Sequence, residues 1–402
     1  MASLGMATVG KHSVTVVLDA FAGSCGKGKF IGYLAQKDNM HVAINNFMSN
    51  AGHTYVTEDG YKLMTQHLPT SMVNKECDLI IGPGAAITPH ILFQEIIKYE
   101  KLLGDRQIII NPRAVVIAQV HRNTEANILR SGSTFKGCGA AQAEKVMRQA
   151  MLFGDFWDKM CSGNPDFGDD DGDYGDLNYV CTCGEWDIIK KHIIVADTMS
   201  IINNEIDRGR NVMVEGSQGC DLDINYGLAY PNTTSRQCHA GQLIADCGIS
   251  PRLLDEIIMI MRPYPIRISN TTNLTNEDGS PLVTSSGEYD GSEEITWDII
   301  KERCGAPYDV EFGEMTTVTK KTRRVFEMNW DRFDYVCKLN RPTQIALNFA
   351  QYIDWGAYEC TSWEDLPQKV KDFISEVEAH AGCPVTLIGT GPANNHIIDR
   401  RK

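Results

Sequence analysis

The apolar run Val14-Thr15-Val16-Val17-Leu18 leads, four residues later, into Gly23-Ser24-Cys25-Gly26-Lys27-Gly28-Lys29. Together the two segments predict a buried strand that feeds a phosphate-binding loop. Glycines in such a loop let backbone N–H groups converge on phosphate oxygens, and the two lysines add positive charge at the start of the next helix. The spacing is not that of the standard P-loop, because Gly28 stands where that loop places the hydroxyl that holds Mg²⁺. A tight strand-to-helix connection is the alternative for such a turn, so the remaining sequence decides between the two.

The chain around this loop has the pattern of an α/β fold. Apolar spacing favours helices at 91–103 and 370–379, with further helical segments around 141–159 and 186–208. The predicted fold is a mostly parallel central sheet flanked by helices, with ligands at the carboxyl edge of the sheet. No internal repeat or low-complexity linker divides the sequence, which predicts a single domain over 1–402 with insertions. Short apolar runs bounded by polar residues predict the buried parallel strands at 42–44, 79–81, 108–110, 212–214, 257–261, 345–349 and 385–388.

Composition excludes some functions and leaves the substrate open. The chain has 402 residues, of which 43% are hydrophobic and 22% charged, and its net charge of −14 argues against a nucleic-acid surface. No run of about 18 apolar residues and no apolar leader segment in residues 1–13 is present, so neither membrane spanning nor export is predicted. The thirteen cysteines are scattered and suit free thiols in a reducing cytoplasm.

The acidic run at 166–176 superficially resembles a calcium loop. Its aspartates have the wrong spacing for an EF-hand and no Glu occupies the twelfth position, so a solvated surface insertion near 163–185 is the better interpretation. Cys181 and Cys183 in the same insertion are separated by one residue, which is too close for the usual structural zinc pattern.

A second motif gives the phosphate loop its meaning. Asn50-Ala51-Gly52-His53-Thr54, taken with Gly-x-x-Gly-Lys-Gly-Lys, resembles the signature pair of the adenylosuccinate synthetase family. Further segments resemble the same family in the same order along the chain. They are Thr134 with Gly137-x-Gly139 and Lys145-Val146-Met147-Arg148, Glu215-Gly216-Ser217-Gln218-Gly219, Tyr230-Pro231-Asn232-Thr233-Thr234-Ser235, Thr317-Val318-Thr319-Lys320-Lys321-Thr322-Arg323-Arg324, and Gly389-Thr390-Gly391-Pro392.

This resemblance implies a set of site residues. Ser24, His53 and Lys27 would be catalytic, and Ser24 with the Gly52 carbonyl would hold Mg²⁺. The purine mononucleotide would be bound by Ser24, Asn50, Thr134, Arg148, Gln218 and Thr234, where the register between Thr233 and Thr234 stays open. L-aspartate would be bound by Thr317, Thr319, Lys321 and Arg323. The phosphate donor would be bound by Gly23, Cys25, Gly26, Lys27, Gly28, Lys29, Gly52, His53, Thr54, Gln218, Asn348, Ala350, Gly389, Gly391 and Pro392.

Two of these residues carry further implications. Arg148 aligns with an arginine that the family lends to the neighbouring subunit, which implies a homodimer with Arg148 contributed in trans. Lys321 stands where the family has an arginine, and a lysine loses bidentate geometry toward a carboxylate, which leaves its role open.

The match to the family fails at the residue expected to do proton chemistry. Family members read Gly-Asp-Glu-Gly-Lys-Gly-Lys, and that Asp removes the N1 proton of hypoxanthine; here Ser24 and Cys25 replace the Asp-Glu pair. Loss of a general base costs about 10² to 10⁴ in rate. Guanine carries an amino group at C2, beside the atom that the carboxylate would contact, and the shorter Ser24 leaves room for it and can accept its hydrogen bond. The pattern resembles the bacteriophage branch of the family, the PurZ type, which joins aspartate to dGMP.

A second departure concerns the phosphate donor. The family reads the guanine of GTP with the Asp of Thr-Lys-Leu-Asp, whereas this chain has Leu347-Asn348-Phe349-Ala350. Ala350 accepts no hydrogen bond, and each guanine donor left unpaired costs roughly 1 to 3 kcal/mol. ATP or dATP is therefore the expected donor.

The implied reaction is a ligation through a 6-phosphoryl intermediate, in the cytoplasm of a host cell if the protein is viral. The group that takes the N1 proton is not evident, and Asp19 and Asp223 are the nearby candidates in the sequence. Two other functions stay open, namely an ordinary adenylosuccinate synthetase acting on IMP and a catalytically inactive nucleotide-binding homologue. Neither a nucleic acid nor a membrane is expected as a partner.

Overall fold

A computed structural model describes residues 14–128, 133–163, 182–268, 271–275, 281–284, 286–287, 289, 291–315 and 322–401 of the chain. The strands are β1 Val14–Asp19, β2 Val42–Asn45, β3 His53–Val56, β4 Lys62–Thr65, β5 Asp78–Ile81, β6 Ala86–Ile87, β7 Ile108–Ile110, β8 Val115–Val116, β9 Ile193–Val195, β10 Val212–Gly219, β11 Leu254–Met261, β12 Ile266–Arg267, β13 Thr271–Thr275, β14 Pro281–Thr284, β15 Glu294–Ile295, β16 Arg324–Phe326, β17 Gln344–Leu347, β18 Val385–Gly389 and β19 Ile397–Asp399. The helices are α1 Lys27–Lys37, α2 Pro89–Leu103, α3 Gln119–Ile128, α4 Cys138–Met147, α5 Phe153–Cys161, α6 Cys183–His192, α7 Thr198–Asp207, α8 Ala240–Asp246, α9 Trp297–Cys304, α10 Trp330–Asn340 and α11 Gln368–Ala381.

Ten strands form one central sheet in the order β19-β18-β17-β11-β1-β10-β2-β5-β7-β9. Every neighbouring pair in it is parallel except β18 with the edge strand β19. The prediction of an α/β fold with a mostly parallel sheet is confirmed, and each of the seven predicted strand regions contributes a strand to this sheet.

Strand β1 lies at the middle of the sheet, between β10 and β11. All six of its residues are buried, because helices cover both faces of the sheet and leave no solvated side. Val16 is in register with Val214 on one side and Ile257 on the other. The apolar run Val14–Leu18 is thus a buried strand at the middle of the central sheet.

Two predicted helical segments are wrong in their extent. The first is divided into α4 and α5, because Arg148 adopts a left-handed conformation with φ 65° and ends α4. In the second, α6 ends at His192 and the β-branched residues Ile193–Val195 form β9, which pairs with β7. The strand predicted at 345–349 ends at Leu347, since Phe349 has φ 61°.

The topology creates a crevice at the carboxyl end of β1. The chain builds the sheet outward from β2 to β9, returns to the centre with β10, and then extends the other side through β11, β17 and β18. At the carboxyl end of β1 the chain connections therefore run toward opposite edges of the sheet. The crevice at such a switch point is where open α/β sheets bind ligands.

The acidic run at 166–176 lies outside the described residues. In the part of the chain that the structure covers, all twelve cysteines are free, and no helix is long and apolar enough to cross a membrane.

Candidate active site

A cleft of about 340 Å³ opens at the carboxyl ends of β1 and β10. It gathers residues from the phosphate loop, from the segment before β3, and from the loops that follow β10 and β11. Thirteen of the residues predicted for the site line it, namely Gly23, Ser24, Gly26, Lys27, Gly28, Asn50, Gly52, His53, Thr54, Thr134, Gln218, Thr234 and Arg323.

The phosphate loop has the backbone shape that its glycines predict. Gly23, Ser24 and Gly26 have φ of 83°, 57° and 94°, so three residues of this short turn lie in the left-handed region. Helix α1 begins directly afterwards at Lys27, which directs its free N–H groups and the positive end of its dipole toward the cleft. The loop is therefore suited to bind an anionic group.

Lys27 is buried and held by two acceptors. Its Nζ donates to Oδ2 of Asp19 and, at 2.6 Å, to the carbonyl oxygen of Gln218. Asp19, the last residue of β1, also accepts a hydrogen bond from the N–H of Cys25 at 3.3 Å. Burial raises the pKa of Asp19, although the nearby Lys27 charge opposes that shift.

A buried arginine fixes the strained Ser24. The Arg262 side chain is 0% exposed, and its Nη1 donates to the Ser24 carbonyl at 3.0 Å and to Glu314 Oε2 at 3.0 Å. The guanidinium also lies 4.4 Å from the centre of the Phe349 ring. Because Ser24 is a non-glycine residue at positive φ, this support holds it in a conformation that it would rarely adopt alone.

His53 presents a neutral imidazole to the cleft. Its ring stacks on Phe47 with the centroids 4.0 Å apart, and burial, followed by the Lys27 charge, lowers its pKa to about 3. Its Nε2 is buried and has no hydrogen-bond partner among the described residues. Such an atom is a ready hydrogen-bonding group for a bound ligand.

The residues predicted to bind the purine nucleotide form a connected set. Gln218 has φ 64° and donates from Nε2 to Asn50 Oδ1 at 3.0 Å. Thr233 and Thr234 both line the cleft, and the Thr234 hydroxyl is buried without a partner in the described part of the structure. That unpartnered hydroxyl favours Thr234 in the register that the sequence left open.

Other predicted residues lie behind the phosphate loop. The Lys29 side chain is buried and donates at 2.7 Å to the carbonyl oxygens of both Gly391 and His396, and burial lowers its pKa to about 7. Asn348 donates to the Cys25 carbonyl at 3.0 Å. None of the following residues lines the cleft itself: Cys25, Lys29, Asn348, Ala350, Gly389, Gly391 and Pro392.

The remaining predicted residues are distributed differently. Arg148 is exposed at the end of α4 and does not line the cleft of its own subunit. Arg323 does line it, with Nε 3.9 Å from Glu314 Oε2. Thr317, Thr319 and Lys321 lie outside the described residues.

Three cleft-side residues were not predicted from the sequence, namely Arg262, Arg267 and Glu314. Arg267 is 3% exposed and donates from Nη2 to the Asn232 carbonyl at 3.1 Å, while its Nε and Nη1 have no partner among the described residues. The available signal was Arg262 directly after the buried strand β11, with Arg267 in the short strand β12 that follows, because the carboxyl end of a parallel strand is where ligands bind.

The donor set fits the Mg²⁺ that the sequence implies. No group of three or more His, Cys, Asp or Glu side chains in the described residues could hold a metal alone. Mg²⁺ usually takes only one or two protein oxygens and completes its shell with phosphates and water. The Ser24 hydroxyl and the Gly52 carbonyl belong to cleft residues and are oxygen donors of this kind.

Comparisons with known proteins place the chain in one family. The model of the adenylosuccinate synthetase family matches residues 16–355. The N6-succino-2-amino-2'-deoxyadenylate synthase of Acinetobacter phage SH-Ab 15497 is 32% identical over 390 residues, covering 95% of this chain and 92% of that protein. The adenylosuccinate synthetase of Methanococcus maripaludis strain C5 is 31% identical over 396 residues, covering 96% and 99%.

A solved structure of a related phage protein is similar in fold to this chain. The succinoaminodeoxyadenylate synthetase (PurZ) of cyanophage S-2L, bound to dGMP and to dATP as an energy donor, has a TM-score of 0.74 to this chain. The two are 27% identical, with 97% of this chain and 96% of that chain covered.

Proposed function

The chain belongs to the adenylosuccinate synthetase family, whose members are ligases that form a C–N bond, and from this we propose that it joins L-aspartate to C6 of dGMP at the expense of ATP or dATP. The product would be N6-succino-2-amino-2'-deoxyadenylate. One observation carries the choice of substrate, namely that Ser24, which replaces the family's catalytic Asp in the sequence motif, lines the cleft and is held there by Arg262.

The size and chemistry of Ser24 favour guanine over hypoxanthine. A carboxylate beside N1 would crowd the 2-amino group, whereas a hydroxyl leaves space and accepts a hydrogen bond from it. The phage relative and the cyanophage structure support the same substrate, since their names describe the succinylated 2-aminopurine and bound dGMP.

The reaction would proceed in two steps within the one cleft. The purine O6 first attacks the γ-phosphorus of the donor, and charge on the transferred group would be stabilised by Lys27, by the N–H groups at the start of α1, and by the neutral ring of His53. The aspartate amine then attacks C6, and phosphate leaves. Bound Mg²⁺, held by Ser24 and Gly52, would supply charge neutralisation on the phosphates.

The phosphate donor is expected to be an adenine nucleotide. Ala350 is buried and Asn348 is bonded to the Cys25 carbonyl, so neither offers the carboxylate that reads guanine in the family. The cyanophage protein has dATP bound as its energy donor. We propose dATP or ATP for this chain, without a choice between them.

The active form is proposed to be a homodimer. Val146 and Met147 are 79% and 59% exposed and directly precede the exposed Arg148. An apolar, exposed helix end beside an arginine suits a subunit contact that carries the guanidinium into the neighbouring cleft. Because the relatives include phage enzymes, the proposed location is the cytoplasm of an infected cell.

A substrate panel tests the function. Purified protein is incubated with Mg²⁺ and aspartate, with dGMP, GMP or IMP as acceptor and with dATP, ATP or GTP as donor, and products are identified by mass spectrometry. The expected result is a succinylated product from dGMP with dATP or ATP. Product from IMP alone would establish an ordinary adenylosuccinate synthetase, which the archaeal relative makes the second candidate. No product from any purine would indicate a nucleotide-binding homologue.

A further inference from the structure

The cleft contains few groups able to accept a proton. Among the described residues that line it, only Asp19, His53 and Glu314 carry a titratable carboxylate or imidazole. Ser24 cannot serve alone, because a hydroxyl without a partner base is a poor proton acceptor at neutral pH. The acceptor for the N1 proton of guanine is therefore sought among these three.

Two of the three are poorly suited. Burial lowers the pKa of His53 to about 3, so its ring has little affinity for a proton. Glu314 accepts hydrogen bonds from both terminal nitrogens of Arg262, and that charge lowers the pKa of Glu314 in spite of burial. Both groups serve better as fixed hydrogen-bonding partners than as bases.

Asp223, the other candidate from the sequence, is fully occupied elsewhere. Its Oδ1 accepts the N–H groups of Asn225 and Tyr226 at 2.8 and 3.0 Å, and its Oδ2 accepts that of Cys238 at 2.6 Å. It does not line the cleft. Asp223 therefore shapes the loop after β10.

Asp19 is the carboxylate of the three that keeps an oxygen without a hydrogen-bond partner among the described residues. Its Oδ2 is bonded to Lys27 and to the Cys25 N–H, whereas its Oδ1 is buried with no partner in the described part of the chain. The charged groups that face it are Lys27 from α1 and Arg262 from the end of β11, beside the buried Cys25 thiol. A buried carboxylate that lines a cleft and keeps one oxygen unused can act as a general base.

We propose that Asp19 is the catalytic base that accepts the N1 proton of dGMP. The N1–H bond breaks as a bond to Asp19 Oδ1 forms, the electron pair passes through the ring to O6, and O6 bonds to the γ-phosphorus while the bond from that phosphorus to the leaving nucleoside diphosphate breaks. The proton stays on Asp19 until phosphate and products depart. This role rests on the proposed function and supplies the base that Ser24 removed.

The ion pair with Lys27 couples the proton affinity of Asp19 to binding of the phosphate donor. Lys27 neutralises Asp19 in the free protein, and the same ammonium is the one expected to contact the β- and γ-phosphates of the donor. When Lys27 turns to the phosphates, Asp19 loses its counter-ion in a buried site and its affinity for a proton increases. Proton removal would thus follow donor binding, and Lys27 would restore the pair after release.

The test uses the first half-reaction. Wild-type protein is incubated without aspartate, with dGMP and with ATP that carries ¹⁸O at the β,γ-bridge. We expect the label to scramble from the bridge to the other oxygens of the β-phosphate. A wild type that makes no product from dGMP in the full assay would reject the proposed function instead. In D19N, scrambling is expected to fall at least 100-fold while the dissociation constants of dGMP and ATP change less than threefold. In D19A, added formate is expected to restore scrambling at least tenfold.

The controls separate a base from a structural carboxylate. D223A removes another buried carboxylate and is expected to lower the melting temperature without creating formate rescue. Three results would each overturn the role of Asp19 as the base. They are a folded D19N that scrambles the label at the wild-type rate, a loss of ATP affinity in D19N that accounts for its loss of rate, and a folded D19A that formate does not rescue. If neither Asp19 variant folds, infrared difference spectra of the wild type must show a new protonated carboxyl group when the intermediate forms, and its absence would overturn the role equally.

Discussion

At the scale of single residues, Ser24 is the side chain to which we attribute the choice of purine. It combines a small side chain with a left-handed backbone that Arg262 supports from behind. The side chain can therefore be exchanged without changing the loop, which makes it a clean position for altering the substrate.

Ser24→Asp is expected to lower kcat/KM for dGMP by roughly tenfold to a hundredfold, because the carboxylate crowds the 2-amino group. The same change is expected to raise kcat/KM for IMP, which has no group at C2. Steady-state kinetics with dGMP and with IMP measures the two changes in kcat/KM. Ser24→Ala is the matched control: without the hydroxyl its overall rate should fall, but because it keeps the space beside C2 it should still prefer dGMP to IMP. A Ser24→Asp enzyme that uses dGMP as well as the wild type would contradict the steric argument.

At the scale of elements, the carboxyl end of the central sheet depends on close backbone contacts. A Cβ added to Gly219, the last residue of β10, would overlap the carbonyl oxygen of Phe21 and the amide nitrogen of Gly23. The phosphate loop can hold its shape only while this glycine lets β10 approach it.

Gly219→Ala is expected to displace the phosphate loop, lower stability by about 2 kcal/mol or more and weaken donor binding at least tenfold. Thermal unfolding and calorimetric titration with ATP measure the two effects. Gly184→Ala is the control, because a Cβ there meets no atom within 4 Å and a helical alanine is favoured over glycine. Equal effects of the two substitutions would show that the contact at Gly219 is not restrictive.

The second element-scale contact joins α1 to the loop between β18 and β19 through Lys29. The pKa of this lysine is about 7 in the folded chain and 10.5 when unperturbed, so between these values the unfolded chain binds more protons than the folded one. Stability contributed at this site therefore rises as the pH increases from about 7 to about 10.5, by up to about 1.4 kcal/mol per pH unit.

Lys29→Met removes this titration. The difference in the free energy of unfolding between wild type and Lys29→Met is expected to move in favour of the wild type as the pH rises through that window, measured by urea unfolding at several pH values. Lys37→Met, at the exposed end of the same helix, is the matched control for the loss of a lysine from α1. A pH-independent difference for Lys29→Met would mean that Lys29 is not buried in solution.

At the scale of the whole molecule, the sequence predicted the sheet better than the helices. Apolar runs such as 108–110 are strong signals because a parallel sheet buries both faces of a strand. The helical segment at 186–208 was predicted too long, because three β-branched residues at 193–195 also fit an apolar helical face, and pairing with β7 decided the outcome.

The site residues that could be predicted are those that lie within a contiguous sequence motif. The phosphate loop, His53 and Gln218 could be placed from their segments, and the structure brings them to one cleft. Arg262 and Glu314 could not, because their roles arise from a buried contact between segments about 50 residues apart. The same holds for Lys29, which the motif assigns to the donor and the structure places against the Gly391 carbonyl.

The proposed exchange of Arg148 between subunits is a property of the assembled dimer. Arg148→Ala and Lys27→Ala proteins, each expected to be inactive, are mixed after reversible dissociation. Half of the dimers should then be mixed, with one of two sites intact, so activity of about a quarter of the wild type is expected. Each mutant treated alone is the control. Mixed dimers verified by mass spectrometry that regain no activity would contradict sharing of the arginine.

The central position of β1 also bears on how a ribosome delivers this chain. Strand β1 leaves the exit tunnel well before both of its neighbours, β10 and β11, which begin at residues 212 and 254. At about 5–20 residues per second, the nascent apolar strand waits roughly 10 to 40 s for its first partner. During that interval it is exposed to other nascent chains, so the yield of active protein is expected to depend on chaperone capacity and on the rate of translation.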